Sequence, residues 1–163
     1  MLSKTSPSNI KMHYQRGVAA VEFAFVIVIL LLIMGGMVEF GRTLWYADAL
    51  TKATRDGARL MSSWPVASIS SNGVGTAKTR AKNSANAANI SPQLALENLS
   101  VECLNDGFSP VACADGTAPA NVRVTINGFS VSLGAWFPLI GTDGLITLGN
   151  IPLAPHTTMR YMN

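Results

Sequence analysis

Residues Phe23–Val38, FAFVIVILLLIMGGMV, are sixteen in a row without a charge, and nothing else in the chain limits its architecture as much. Extended to Val18 and Gly41, the stretch reaches 24 residues, interrupted only by Glu22 and Glu39. A helix needs about 20 residues, at about 1.5 Å each, to cross roughly 30 Å of hydrocarbon. The stretch is apolar all round, and a chain of 163 residues has too little left to surround it as a core helix. It therefore predicts a transmembrane helix over 18–41. A cleavable secretory signal is the alternative. Its apolar region would run about 7–15 residues and end in a small-x-small site. Here the run is longer, and it leads into Glu39-Phe40-Gly41-Arg42 with no Ala-x-Ala site.

Flanking charge sets the expected orientation. Residues 1–17 carry Lys4, Lys11 and Arg16 and no acid, whereas the far side opens with Arg42, Asp48, Lys52, Arg55, Asp56 and Arg59. The basic, acid-free side stays in the cytoplasm. The expected layout is a basic leader over 1–17, the span over 18–41, an emergent helix over 42–63 and an extracytoplasmic domain over 64–163.

Past the span, Ala47, Leu50, Thr54, Gly57 and Met61 recur at spacings of three and four, a stripe of mostly small residues. Such a stripe suits close approach of a neighbour, either the protein's own sheet or another subunit. Asp48 and Lys52 stand i,i+4 on the opposite side. Ser62-Ser63-Trp64-Pro65 predicts a stop, since the residue before proline avoids helical geometry. Residues 68–76 read as a loop, and Thr76 to Asn89 as an Ala-rich helix ended by Ser91-Pro92. Leu99 to Cys103, Leu145 to Leu148 and Thr157 to Tyr161 are strand candidates. Asn121 to Leu133, NVRVTINGFSVSL, predicts a hairpin: two alternating runs flank Asn127-Gly128, a two-residue turn signal. The apolar loop between them and the end holds Trp136, Phe137, Pro138, Leu139 and Ile140, read either as a cap on the core or as an exposed, membrane-dipping patch. The expected fold class is α+β: a long N-terminal transmembrane helix continuing into a small extracytoplasmic domain whose antiparallel sheet packs on helix.

The chemistry-bearing residues are few. No CxxC, HExxH or phosphate-binding glycine loop occurs, so no metal and no cofactor is expected. His156 has no acid close in sequence, and Glu97, Glu102, Asp106 and Asp115 match no calcium-ligand spacing. No nucleophile–base pair presents itself; the chain reads as a non-enzyme without a small-molecule substrate. Lys78, Arg80 and Lys82 form the densest basic cluster, but no aromatic residues interleave with it, and no nucleic acid is expected. Cys103 and Cys113 enclose nine residues. Outside the cytoplasm they would close a disulfide loop, and the alternative is two free thiols.

Glu22 is the residue least suited to its position. A carboxylate in hydrocarbon costs on the order of 3 kcal/mol at the centre and less near the interface. One reading is a snorkelling end residue. The other requires a cationic partner. Were the chain cut after Gly17, Val18 would carry a new ammonium group four residues from Glu22. A neighbouring helix shifted by about 6 Å could then set its amine against this carboxylate.

The basic leader, Gly17, VAAVEF and the long apolar helix resemble the class III signal of type IV pilins and pseudopilins. The fuller string RGVAAVEFAFVIVILLLIMGGMVEFGRTLWYADALTKATRDGARLM, residues 16–61, resembles the TadE-like family of the tight-adherence (Flp) pilus system. The resemblance rests on the leader, on Glu22-Phe23, on the second acid motif Glu39-Phe40-Gly41-Arg42 and on Arg55-Asp56-Gly57-Ala58-Arg59. It implies a minor pilin or pseudopilin, cut by a prepilin peptidase between Gly17 and Val18. Glu22 and Phe23 would make the assembly contact. The implied partners are the membrane, the peptidase, other pilus subunits and the inner-membrane assembly platform. The implied location is the bacterial inner membrane, in one pass with the N-terminus cytoplasmic, or the pilus itself. The length favours a minor role, because major subunits of that pilus are much shorter. Val18 departs from the phenylalanine general to type IV pilins at the first mature position. An uncut, membrane-tethered binding domain is the alternative function.

Overall fold

The computed structural model describes residues 11–133, 139–141, 144–146 and 149–163, with side chains over 17–133 and 149–163. The chain divides into two compact units, Met1–Val38 and Glu39–Asn163. The expected cap or patch at Trp136 to Pro138 lies outside the described residues, as do the side chains of Leu139 and Ile140.

The first helix, α1, spans Lys11–Ser62. In the first unit its side chains from Gly17 to Met34 are all exposed. Its most apolar window has a mean hydropathy of 2.8 and is 0% buried, so by length and composition it can cross a membrane.

In the second unit the same helix changes character. Tyr46, Ala49, Leu50, Ala53, Thr54, Ala58 and Met61 are buried, and so is Gly57. These positions form a stripe wider than the one expected: it begins at Tyr46, and Ala47 is only half-buried. Asp48, Lys52, Arg55 and Arg59 stay exposed. Lys52 Nζ lies 2.7 Å from Asp48 Oδ2, a solvated pair worth a few tenths of a kcal/mol.

The second helix, α2, runs Val74–Asn86 and lays Ala77, Ala81 and Ala85 on α1. The stripe of small residues thus serves packing within the chain. A Cβ at Gly57 would stand 3.1 Å from Ala81 Cβ and 3.2 Å from the Ala77 carbonyl oxygen. The loop expected over 68–76 is instead helical: a 3₁₀ turn, Val66–Ser68, leads through a π turn, Ile69–Gly73, into α2. Ile69 is fully buried there, and the Trp64 indole occupies the space a Cβ at Gly73 would need, so tertiary packing overrides the Ser/Asn/Gly composition. Asp115 Oδ1 accepts the Ser70 and Ser71 N–H groups at 2.6 and 3.1 Å, which satisfies donors that a helix start leaves open.

The main sheet has the order β2-β1-β3-β8, built from β1 (Leu99–Leu104), β2 (Pro110–Val111), β3 (Asn121–Ile126) and β8 (His156–Arg160), all antiparallel. Val122, Val124 and Ile126 alternate inward along β3 onto the helices. The hairpin expected over Asn121–Leu133 does not form. β4 (Phe129–Ser132) pairs with β7 (Asn150–Leu153) in a separate two-stranded sheet. Both edges of β3 are already taken, by β1 and β8. Asn127 donates its N–H to the Asn98 carbonyl at 2.7 Å, and Gly128 takes φ +69, so the chain bends instead of folding back. The ribbon β3–β8 therefore continues round a corner as β4–β7. β5 (Leu139–Gly141) and β6 (Gly144–Ile146) form a further hairpin in the intervening chain; the expected strand over Leu145 to Leu148 overlaps β6 at its first two residues.

The end of α1 is tied to the end of the chain. Met162 N–H donates to the Ser62 carbonyl at 2.9 Å, and the Tyr161 hydroxyl to the Trp64 carbonyl at 2.6 Å. These donors satisfy carbonyls that a helix C-terminus leaves open. Cys103 and Cys113 are joined as a disulfide, which fastens the chain after β2 to β1.

Candidate functional site

The two glutamates of α1 stand in opposite circumstances. Glu22 and Phe23 lie in the apolar first unit, both exposed, Phe23 to 65%. Among the described residues Glu22 has no ion-pair partner. Gly17, on the N-terminal side of the expected cleavage point before Val18, has open space where a Cβ would stand.

Glu39 opens the second unit and is 7% exposed. Arg42, one turn on, donates Nη2–H to Glu39 Oε2 at 2.6 Å and Nε–H to the same oxygen at 3.2 Å. Arg42 Nη2 also donates to the Ser132 carbonyl at 2.7 Å, at the end of β4. The guanidinium lies 5.6 Å from the centre of the Tyr46 ring. Thr43 Oγ1–H returns to the Glu39 carbonyl at 3.0 Å. The i,i+3 spacing of Glu39 and Arg42 puts the pair on one helix face. Its link to β4 has no signature in sequence, because Ser132 contributes a backbone carbonyl that any residue could supply. Within the motif Glu39-Phe40-Gly41-Arg42 the structure joins the two charged residues, whereas Phe40 points outward and Gly41 has open space.

The remaining polar residues do not converge. Glu102 and Arg123 stand 3.8 Å apart across β1 and β3. Asp115 is engaged at the start of the second helical run, where the Ser71 and Ser70 amides hold its carboxyl below the usual range. An open groove of about 550 Å³ between α1 and α2 is lined by Asp56, Arg59 and Arg80 with polar neighbours. Its Thr76 and Thr79 hydroxyls are spent on the Asn72 and Gly75 carbonyls, and Asp56 accepts from Ser84. No group of three metal-ligating side chains occurs among the described residues.

The molecule is of the class in which a helix able to cross a membrane is followed in the chain by a small α+β domain. Residues 17–59 match the family model described as TadE-like protein. No curated relative and no solved structure matches the chain. The TadE-like segment begins at Gly17 and takes in both acid motifs and the helix stripe through Arg59, and the sheet lies outside it.

Proposed function

We propose that the chain is a minor pilin-like subunit needed for assembly of a tight-adherence pilus, without enzymatic activity of its own. In this reading a prepilin peptidase cuts between Gly17 and Val18. The helix over 18–41 holds the protein in the bacterial inner membrane, N-terminus inward, until it is drawn into or beside the filament. The 42–63 helix and the 64–163 domain stand outside the cytoplasm, facing other subunits and the assembly platform.

The observation that carries this reading is the contrast between the two acids. The Glu39 carboxylate takes two hydrogen bonds from Arg42 within its own chain. Glu22 sits on an apolar surface with no cation beside it among the described residues. A carboxylate enclosed by packed apolar helices is costly unless a positive group meets it. The Val18 ammonium created by cleavage supplies that charge from a neighbouring subunit.

Mass spectrometry of the protein isolated from its host, with and without the prepilin peptidase, tests the processing step. Loss of residues 1–17 only in the presence of the peptidase is expected. An intact leader in both strains would leave an anchored binding domain instead. Glu22→Ala is expected to keep membrane insertion and lose piliation; normal piliation would remove the role given to the carboxylate.

A further inference from the structure

The exposed face of α1 does not turn polar where the apolar run ends. Phe40 is 65% exposed, Leu44 55% and Trp45 60%, all in the second unit and all past Glu39. Charge first appears on that face at Asp48 and Lys52, one turn later. The polar groups at the Phe40–Trp45 level are meanwhile satisfied inside the protein. Arg42 is spent on Glu39 and the Ser132 carbonyl, and the Thr43 hydroxyl on the Glu39 carbonyl. The Trp45 indole N–H donates to the Ala88 carbonyl at 3.2 Å, just past the end of α2. A surface that presents large apolar side chains while pairing its polar groups internally is built for a medium poor in water.

We infer that Phe40, Leu44 and Trp45 form a lipid-facing seat, by which the folded domain rests in the headgroup region of the membrane. The inference rests on the membrane-anchored part of the proposed function but not on cleavage or on pilus assembly. Lipid is the occupant because Phe40, Leu44 and Trp45 follow in sequence on the apolar segment that ends at Val38. Tryptophan and phenylalanine at that level suit the boundary between acyl chains and water. From Val18 to Trp45 there are 28 residues. At about 1.5 Å each they match a bilayer of about 40–45 Å counted with its headgroups. The seat thereby moves the outer boundary from Gly41 to between Trp45 and Asp48.

The test is cysteine accessibility in the full chain, with Phe40→Cys, Leu44→Cys, Asp48→Cys and Lys52→Cys made singly. Cys103 and Cys113 are bonded to each other and stay silent without reductant. Each variant is reconstituted in vesicles of phosphatidylethanolamine and phosphatidylglycerol. Flotation of the vesicles first establishes that the chain is anchored, and failure there would sink the anchored reading itself. A membrane-impermeant maleimide is then added outside, with Lys52→Cys as the reference for outward-facing molecules. Positions 40 and 44 are expected to react at least tenfold more slowly than 48 and 52. Protection should be unchanged when the lipid-to-protein ratio is raised tenfold. Equal rates at all four positions in floated vesicles would overturn the seat. Protection that fades on dilution in lipid would also overturn it, since the face would then be covered by a second copy.

Discussion

At Gly57 α1 meets both α2 and β3, and the effect of adding one methyl there can be worked out. A Cβ would meet Ala81 Cβ at 3.1 Å, the Ala77 carbonyl oxygen at 3.2 Å and Val124 Cγ1 at 3.5 Å. Two of these are tighter than ordinary contact, and one is helix backbone. Relief requires α2 to retreat by a few tenths of an ångström. That helix is held by the Ser84 hydroxyl on Asp56 at 2.7 Å and by Asn86, whose side chain exchanges two hydrogen bonds with Leu94. Overpacking of this kind costs about 1–3 kcal/mol. Against it, replacing glycine by alanine inside a helix gains about 1 kcal/mol. The net expectation for Gly57→Ala is a loss of about 1 kcal/mol. Gly75→Ala is the matched control: it lies in α2, exposed, with nothing within 4 Å of the new Cβ, so only the helix-propensity gain remains. The two variants should therefore move in opposite directions, about 2 kcal/mol apart. Urea unfolding of the full chain in detergent, monitored by tryptophan fluorescence, measures both against the parent. A Gly57→Ala protein as stable as the Gly75→Ala protein would refute the claim that the helices are locked at this crossing.

The clasp, the disulfide and the cap each give a further expected outcome. Tyr161→Phe removes the hydroxyl bonded to the Trp64 carbonyl and should cost about 1 kcal/mol in the same assay. Burial raises the Tyr161 pKa above its ordinary value. The neutral phenol's contribution is thus whole below about pH 10 and is lost as pH rises through the folded value; the parent should lose more stability than Tyr161→Phe at high pH. Reduction of Cys103–Cys113, ten residues apart, should cost about 3 kcal/mol on the chain-entropy account, read as a lower urea midpoint in the presence of reductant. Asp115 is held below its ordinary value by the Ser71 and Ser70 amides. Its cap is fully present above about pH 4 and is lost as pH falls through the lowered value. Amide exchange at Ser70 and Ser71 should accelerate on that descent, relative to the general pH trend, and not in Asp115→Asn.

Sequence patterns carried the elements whose signals are local. The uncharged run gave the apolar helix, the Trp64-Pro65 stop falls within two residues of the end of α1, and the alternation of Val122, Val124 and Ile126 marked a buried strand face. They failed where pairing is decided at a distance. Asn127-Gly128 is a sound turn signal, but whether the next strand folds back depends on whether β3 has a free edge. That depends on β8, thirty residues further along the chain. The Ile69–Gly73 turn was hidden for a related reason: its serine and asparagine content favours a loop, and only the burial of Ile69 and the cap from Asp115 make it helical. At the candidate site both acid motifs were legible, because a carboxylate beside an apolar run is conspicuous. Their different fates were not. Glu39-Phe40 has an arginine three residues on from its acid, with which it pairs, whereas Glu22-Phe23 has Phe25 at that spacing.

On the proposed function the two motifs have separate duties. A charge already neutralised within the chain gains little from an incoming cation, and breaking the pair would leave the Arg42 guanidinium with the Ser132 carbonyl but without its carboxylate. Glu39 and Arg42 are therefore committed to fastening the base of the domain, through Ser132, to the helix on which it rests. Among the described residues Glu22 has no such partner, and on the proposed function apolar surroundings would make a cation that reaches it worth more than in water. On the same reading Glu22 would also discriminate against wrong registers, since a neighbour displaced by one turn would leave both charges unmatched. Removing Glu22 should thus disturb how subunits line up while leaving the domain folded. Removing Glu39 should loosen the domain's hold on α1 even in a protein that never meets another subunit.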